Sequence, residues 1–205
     1  MADLILILDE SGSMGTQRFE MINQINKMVG TQKKLLLEDK KIATERVNFH
    51  IYRFNTKVKE PISHPLSTFP VFTDEHYSPG GNTALYDAIG EVIHRFEDSK
   101  NTTVLVIATD GEENASNEYQ LSDIKAKLEE KKTKNDWTVI YLSENVETKK
   151  QGESFGVQGN SNVAVKKLGS AMNDCHLNSA LNYAVRGEKS KCASSMAFFS
   201  SANNN

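Results

Sequence analysis

The chain has 205 residues, 24 basic and 27 acidic side chains, and a formal net charge of −3. That length buries a full core without staples, and so even a charge gives no bulk reason to expect direct nucleic-acid binding. The only two cysteines, Cys175 and Cys192, are too few for a disulfide scaffold or a zinc cluster, and they read as free thiols of a reducing compartment. Met1-Ala2-Asp3 carries no positive n-region, and the apolar run Leu4–Leu8 stops at Asp9-Glu10. No run approaches the roughly 18 apolar residues of a membrane span. A cytoplasmic protein without a membrane segment is expected.

Leu4–Leu8 is short, continuous and apolar, and it runs into a Gly-rich loop. It predicts a strand buried on both faces of a parallel sheet. Residues 16–38 follow with helical spacing through Phe19, Ile22, Ile25, Met28, Val29, Leu36 and Leu37, with Gly30-Thr31 as a break or bend. Residues 46–54 alternate and are rich in β-branched and aromatic side chains, and a turn at Asn55-Thr56 leads to a second strand at 57–62, a predicted hairpin. Pro61, Pro65, Pro70 and Pro79 mark 61–79 as an irregular surface connection.

Gly80-Gly81-Asn82-Thr83 opens a helix carrying Leu85, Ala88, Ile89, Val92, Ile93 and Phe96. Thr103–Ala108 is a second buried strand and ends at Thr109-Asp110-Gly111. A helix at 117–134, a strand at 137–142, a short helix at 146–155, a short strand at 163–165 and a helix at 169–185 complete the order. Such alternation predicts an α/β doubly wound, Rossmann-like open sheet, with ligands at the carboxyl ends of its strands. Residues 1–186 read as one domain. Residues 187–205, rich in Ser, Ala and Asn, read as a flexible tail with one short apolar cluster at Met196–Phe199.

Three segments deliver small oxygen side chains to one sheet edge: Asp9-Glu10-Ser11-Gly12-Ser13, the loop holding Thr83, and Asp110-Gly111-Glu112-Glu113. Mg²⁺ takes octahedral oxygen ligands at about 2.0–2.1 Å and keeps some of its waters. Two carboxylates match the charge of one divalent ion, and Ser and Thr hydroxyls are short neutral donors. If the carboxylates act through water while the hydroxyls bind directly, the ion stays electron-poor and takes one more anionic ligand from a partner.

Asp9-x-Ser11-x-Ser13 with Thr83 and Asp110 resembles the metal-ion-dependent adhesion site (MIDAS) of von Willebrand factor A domains. Gly80–Leu85 and Ala108–Asn114 match its context, and the resemblance covers about residues 3–185. It is similar to the small stand-alone A domains of bacteria and their phages. The resemblance implies a mostly parallel sheet with one antiparallel edge strand and helices on both faces. It implies that Ser11 and Ser13 bind the metal directly, that Thr83 binds directly or through water, and that Asp9 and Asp110 act mainly through water. The implied metal is Mg²⁺ or Mn²⁺. The implied partner is a protein presenting Asp or Glu, for instance a MoxR-type AAA+ ATPase or a host protein met by a phage-encoded factor.

Plainer readings stand beside these. Asp9 and Thr83 could serve as turn or helix-cap residues, and Asp110-Gly111 as an ordinary turn. Glu10, Glu112 and Glu113 are solvated loop charges or tune the ion. Asp87 interacts with a helix dipole or accepts a bond from a ligand hydroxyl. Tyr86 is packing or rim. Lys125, Lys127, Lys131, Lys132 and Lys134 read as a solvated helix face, and Lys149, Lys150, Lys166 and Lys167 as a basic patch without the aromatics of nucleic-acid binding. Cys175-His176 lacks partner ligands for zinc. Two competing functions are a phosphohydrolase of the haloacid dehalogenase type and a regulator of nucleic-acid machinery. The hydrolase requires a second acid two residues after its nucleophilic Asp, and Ser11 occupies that position. No Gly-x-x-x-x-Gly-Lys-Ser/Thr is present, which excludes a P-loop nucleotidase.

Overall fold

The computed structural model describes residues 1–38, 47–134, 137–144, 146–157, 162–164, 168 and 182. Six strands form one sheet: β1 (Ala2–Asp9), β2 (Val47–Phe54), β3 (Ile62–Pro65), β4 (Thr102–Thr109), β5 (Trp137–Ser143) and β6 (Asn162–Ala164). Their order is β3-β2-β1-β4-β5-β6, and only β2 and β3 pair antiparallel. Among the described residues the α-helices are α1 (Arg18–Glu38), α2 (Leu85–Arg95), α3 (Leu121–Lys134) and α4 (Val146–Ser154). The expected doubly wound sheet with an antiparallel edge strand is therefore present. Among the described residues no helix is long and apolar enough to cross a membrane.

Central β1 is buried at every position, because its two pleat faces feed two cores. Leu4, Leu6 and Leu8 pack with Met21, Ile25 and Met28 of α1. Ile5 and Ile7 pack with Leu85, Ile89 and Val92 of α2 and with Ile124 and Leu128 of α3. Each fully buried side chain of this size contributes about 1.5–3 kcal/mol relative to exposure. The chain runs outward from β1 through β2 to β3, then returns to the other side of β1 as β4. The β1/β4 boundary is thus the switch point, where a crevice opens beyond the strand ends.

Several local expectations change. The second hairpin strand runs over 62–65 rather than 57–62, because residues 55–61 form the connection and Ile51 pairs with Ile62. Pro65 sits there without cost since β3 is an edge strand. The proline-rich stretch is no mere surface connection: Leu66, Phe69, Phe72 and Tyr77 are buried in the α1-side core. Gly30 does not break α1, which is continuous to Glu38. Phe19 and Leu37 lie outside its apolar stripe and are 71% and 87% exposed. Lys131 is buried rather than solvated. Its ammonium donates to the carbonyls of Phe96 and Glu97 at the end of α2, both at 3.0 Å, and stands 5.4 Å above the Trp137 ring. Apart from Asn182, the expected helix at 169–185 lies outside the described residues, as do the tail, Cys175-His176, Lys166 and Lys167.

Candidate metal centre

Parallel pairing of β1 with β4 matches Leu8 with Ala108, so Asp9 and Thr109 end side by side and Asp110 follows. Asp9 is 0% exposed. Its Oδ1 accepts the Ser11 amide at 2.7 Å and its Oδ2 accepts the Thr109 hydroxyl at 2.6 Å. The Tyr77 hydroxyl, buried, donates to the Asp9 carbonyl at 2.7 Å. Beyond Asp9 the chain makes a short 3-10 turn over Gly12–Gln17. This turn brings the Ser13 hydroxyl within 2.6 Å of Asp110 Oδ1, to which it donates, while the Ser11 and Ser13 hydroxyls stand 3.0 Å apart. Ser13 directs its proton to Asp110, and the Ser11 hydroxyl stands beside both Ser13 and Asp9. Both oxygens keep lone pairs for a further ligand.

Thr83 enters from the third segment. It is buried, and its backbone makes a two-way clamp with Asn114: its N–H donates to Asn114 Oδ1 at 2.9 Å, and its carbonyl accepts the Asn114 amide at 3.0 Å. A methyl placed on Gly111 would stand 3.1 Å from Thr83 Oγ1 and 3.7 Å from Asp9 Oδ2, so both oxygens border one small space. All five predicted residues therefore meet at one edge. Asp9, Ser11, Ser13 and Asp110 form a single hydrogen-bonded chain through Ser11, and Thr83 faces it. The helix-cap alternative fails for both Asp9 and Thr83: Ser11 stands at the start of the 3-10 turn, and the residue at the cap of α2 is Ala84. Asp9 does make a turn bond to the Ser11 amide, but its other oxygen reaches across strands to Thr109.

Burial pushes the Asp9 carboxyl up to about 6; the bonds from Thr109 and Ser11 oppose this, and nearby Asp110 adds to it. Asp110 is also raised, by burial and by Glu144. Among the described residues no lysine, arginine or histidine forms an ion pair with either group. Two carboxylates of like charge, one fully desolvated, lie among hydroxyl oxygens. That donor set fits a hard divalent cation and suits little else. Among the described residues no three carboxylate, imidazole or thiolate groups converge, so a nitrogen- or sulfur-rich metal site is not built here.

The surrounding acids have tasks that composition and spacing did not show. Glu10 is fully buried instead of solvated. It accepts the Ser78 amide and pairs with Lys59 Nζ at 2.6 Å. Glu113 is likewise no solvated charge: it accepts the amides of Tyr86, Ala115 and Ser116 and the Ser116 hydroxyl. Asp87 accepts the amides of Asn117, Glu118 and Tyr119, so neither the helix dipole nor a ligand hydroxyl is needed to account for it. Gln151 of α4 accepts the Glu113 amide at 2.6 Å and donates to the Tyr141 hydroxyl at 3.0 Å. The 80–87 and 110–119 segments are thereby stitched into one frame. Tyr86 is half-buried and packs edge-on against Phe155; Glu112 alone of these acids is exposed. Thr109, Glu113 and Asn114 lie in the 108–114 segment that carries the resemblance, which does not by itself show their roles; Gln151 carries no sequence signal.

An open α/β sheet with an oxygen-lined cluster at its switch point has the layout in which α/β domains bind ligands beyond the strand ends. The model of the von Willebrand factor type A domain matches residues 3–189, and the chain belongs to that family. Among solved structures it is similar to proximal thread matrix protein 1 from the mussel byssus, at 18% identity and TM-score 0.59, over 94% of this chain and 48% of that one. A structure of the same mussel protein with a zinc-occupied MIDAS motif matches at 18% identity and TM-score 0.59, over 92% and 48%. A von Willebrand factor type A protein from Catenulispora acidiphila matches at 13% identity and TM-score 0.53, over 95% and 42%. At these identities the likeness is one of fold. The chain spans less than half the length of each of these structures. No curated protein sequence matches it significantly.

Proposed function

We propose that the chain is a metal-dependent protein-binding module. A divalent cation, Mg²⁺ or Mn²⁺, is held by Ser11, Ser13 and Thr83, with Asp9 and Asp110 acting through water, and it takes a carboxylate of a protein partner as its last ligand. The observation that carries this reading is the desolvated Asp9 beside Asp110, with no cationic side chain among the described residues paired to either. The Ser13 hydroxyl donates to Asp110 and lies 3.0 Å from the Ser11 hydroxyl, so both oxygens keep lone pairs for a cation, which supports direct ligation by Ser11 and Ser13. The zinc-occupied motif of the mussel protein supports a divalent ion at this edge of the fold.

We place the chain outside the dehalogenase-type hydrolases. Both Asp9 oxygens are engaged by local donors and the group is fully buried, which is a poor posture for a nucleophile. The general acid–base position holds Ser11. A phosphatase screen in Mg²⁺ should read background; activity lost in Asp9→Asn would favour the hydrolase. The binding reading is tested by affinity capture in Mg²⁺, in EDTA and with Thr83→Ala. Partners, whether a ring ATPase or a host protein, should be recovered only by the wild type in Mg²⁺. The same partners in all three captures would place binding on another surface.

A further inference from the structure

Immediately behind the candidate ligands lies an ion pair, its carboxylate buried and its lysine part-exposed, that none of the five positions explains. Glu10 follows Asp9, is 0% exposed, and joins three segments. Its amide donates to the Phe54 carbonyl at 2.7 Å, and its carbonyl accepts the Gly80 amide at 2.9 Å. One carboxylate oxygen accepts the Ser78 amide, and the other meets Lys59 Nζ at 2.6 Å. Two neighbouring bonds tighten the same junction: Gly12 N–H to the Gly81 carbonyl at 3.0 Å, and the Asn82 amide to Thr56 Oγ1 at 3.0 Å. Gly81 has a φ of +81°, and a side chain there would strike Thr56 Oγ1 at 2.7 Å, so the loop can approach this closely only with glycine. That loop ends in Thr83.

Burying a carboxylate is costly unless it is paired and hydrogen-bonded. A neutral acceptor such as glutamine at position 10 would avoid that cost and still take the Ser78 amide bond. The charge has to be accounted for by what it holds. We propose that the Glu10–Lys59 pair is a positioning device for the metal centre: it clamps the Ser78–Thr83 loop onto the β1 loop and so sets Thr83 opposite Ser11 and Ser13. Lys59 is the neutralising half, keeping the third acid of this cluster from competing with Asp9 and Asp110 for the ion. This inference rests on the metal-site reading of the previous subsection.

A purely electrostatic role and a positioning role predict opposite signs. Glu10→Gln removes a negative charge near the ion, while Lys59→Met leaves one uncompensated. Through charge alone, the first weakens cation binding and the second strengthens it. Through position, both weaken it. Mn²⁺ titration by calorimetry of the wild type, Glu10→Gln, Lys59→Met and Lys59→Arg separates the two. Residues that orient metal ligands typically change metal affinity by about 10–100-fold. Glu10→Gln and Lys59→Met should both lose about tenfold or more, and Lys59→Arg should retain most of the affinity. Hydrogen exchange of the metal-free proteins adds a readout without metal: amides 78–83 should exchange faster in both weakened variants. Lys59→Met carries the greater folding risk, and Glu10→Gln, which keeps an acceptor for the Ser78 amide, then decides through affinity and exchange together. Changes of opposite sign, or unchanged affinity with unchanged exchange, would overturn the positioning role while leaving the metal site standing. No Mn²⁺ binding by the wild type would overturn the site itself and this inference with it.

Discussion

Asp9→Asn should stabilise the metal-free protein and abolish its response to metal. Burial lifts the Asp9 carboxyl from 3.8 to about 6. The folded state therefore holds this proton more tightly than the unfolded chain does. Between pH 3.8 and about 6, each unit of rising pH lowers the stability of the metal-free fold, and above that range the full cost stands. Two pKa units correspond to about 3 kcal/mol at neutral pH. Asparagine carries no such cost and can keep the local bonds. Its Oδ1 accepts the Ser11 amide, its Nδ2 donates to Thr109 Oγ1, and the Thr109 hydroxyl turns fully to the Gly111 carbonyl, already 3.0 Å away. Allowing for imperfect replacement, a net gain of about 2 kcal/mol remains, or about 4–8 °C in Tm for a chain of this size. Metal reverses the ranking. At a concentration 100 times its Kd, an ion adds about 2.7 kcal/mol to the wild type and nothing to the variant. Thermal unfolding at pH 7.5 in EDTA and in Mg²⁺ reads both effects. A variant less stable than wild type in EDTA, or an equal Mg²⁺ shift in both proteins, would refute the reasoning.

Three further outcomes follow from named contacts. Gly111→Ala should weaken metal binding several-fold with little change in Tm, since its methyl would crowd Thr83 Oγ1 at 3.1 Å without entering the core; calorimetry and melting check the two halves. Gly90→Ala should cost about 1–3 kcal/mol in urea unfolding, the usual range for overpacking, because its methyl would sit 2.4 Å from the Tyr119 ring; an unchanged midpoint would contradict the packing of Tyr119 on α2. Asp3, at the other end of β1, feels burial upward, but His50, Asn48 and Asn101 outweigh it and hold its carboxyl below the ordinary range. Its contribution is full above pH 3.8 and is lost as pH falls through its lowered folded value, so Asp3→Asn should flatten the acid limb of a Tm–pH curve.

The fold was legible where burial is two-sided or periodic. Leu4–Leu8 and Val104–Ala108 could only be central strands, and α2 announces itself through Leu85, Ala88, Ile89, Val92 and Ile93. The five oxygen-bearing positions were legible because the sheet delivers strand ends to one edge, so order along the chain implies proximity in space. What stayed hidden depends on contacts between segments far apart in sequence. The core role of Phe69, Phe72 and Tyr77 was masked by the prolines around them. Glu10 and Glu113 look like surface acids until the partners are seen: Lys59 and Ser78 for the first, Tyr86 and Ser116 for the second. Lys131 looks solvated because its charge is carried by carbonyls at the end of a different helix.

The most direct measurement is a calorimetric titration of Mg²⁺ or Mn²⁺ into the metal-stripped wild type and into Asp9→Ala. One saturating site in the wild type, lost or weakened by orders of magnitude in the variant, is the predicted result. Equal affinity in the two proteins would contradict the assignment of Asp9, Ser11, Ser13, Thr83 and Asp110 as one metal centre.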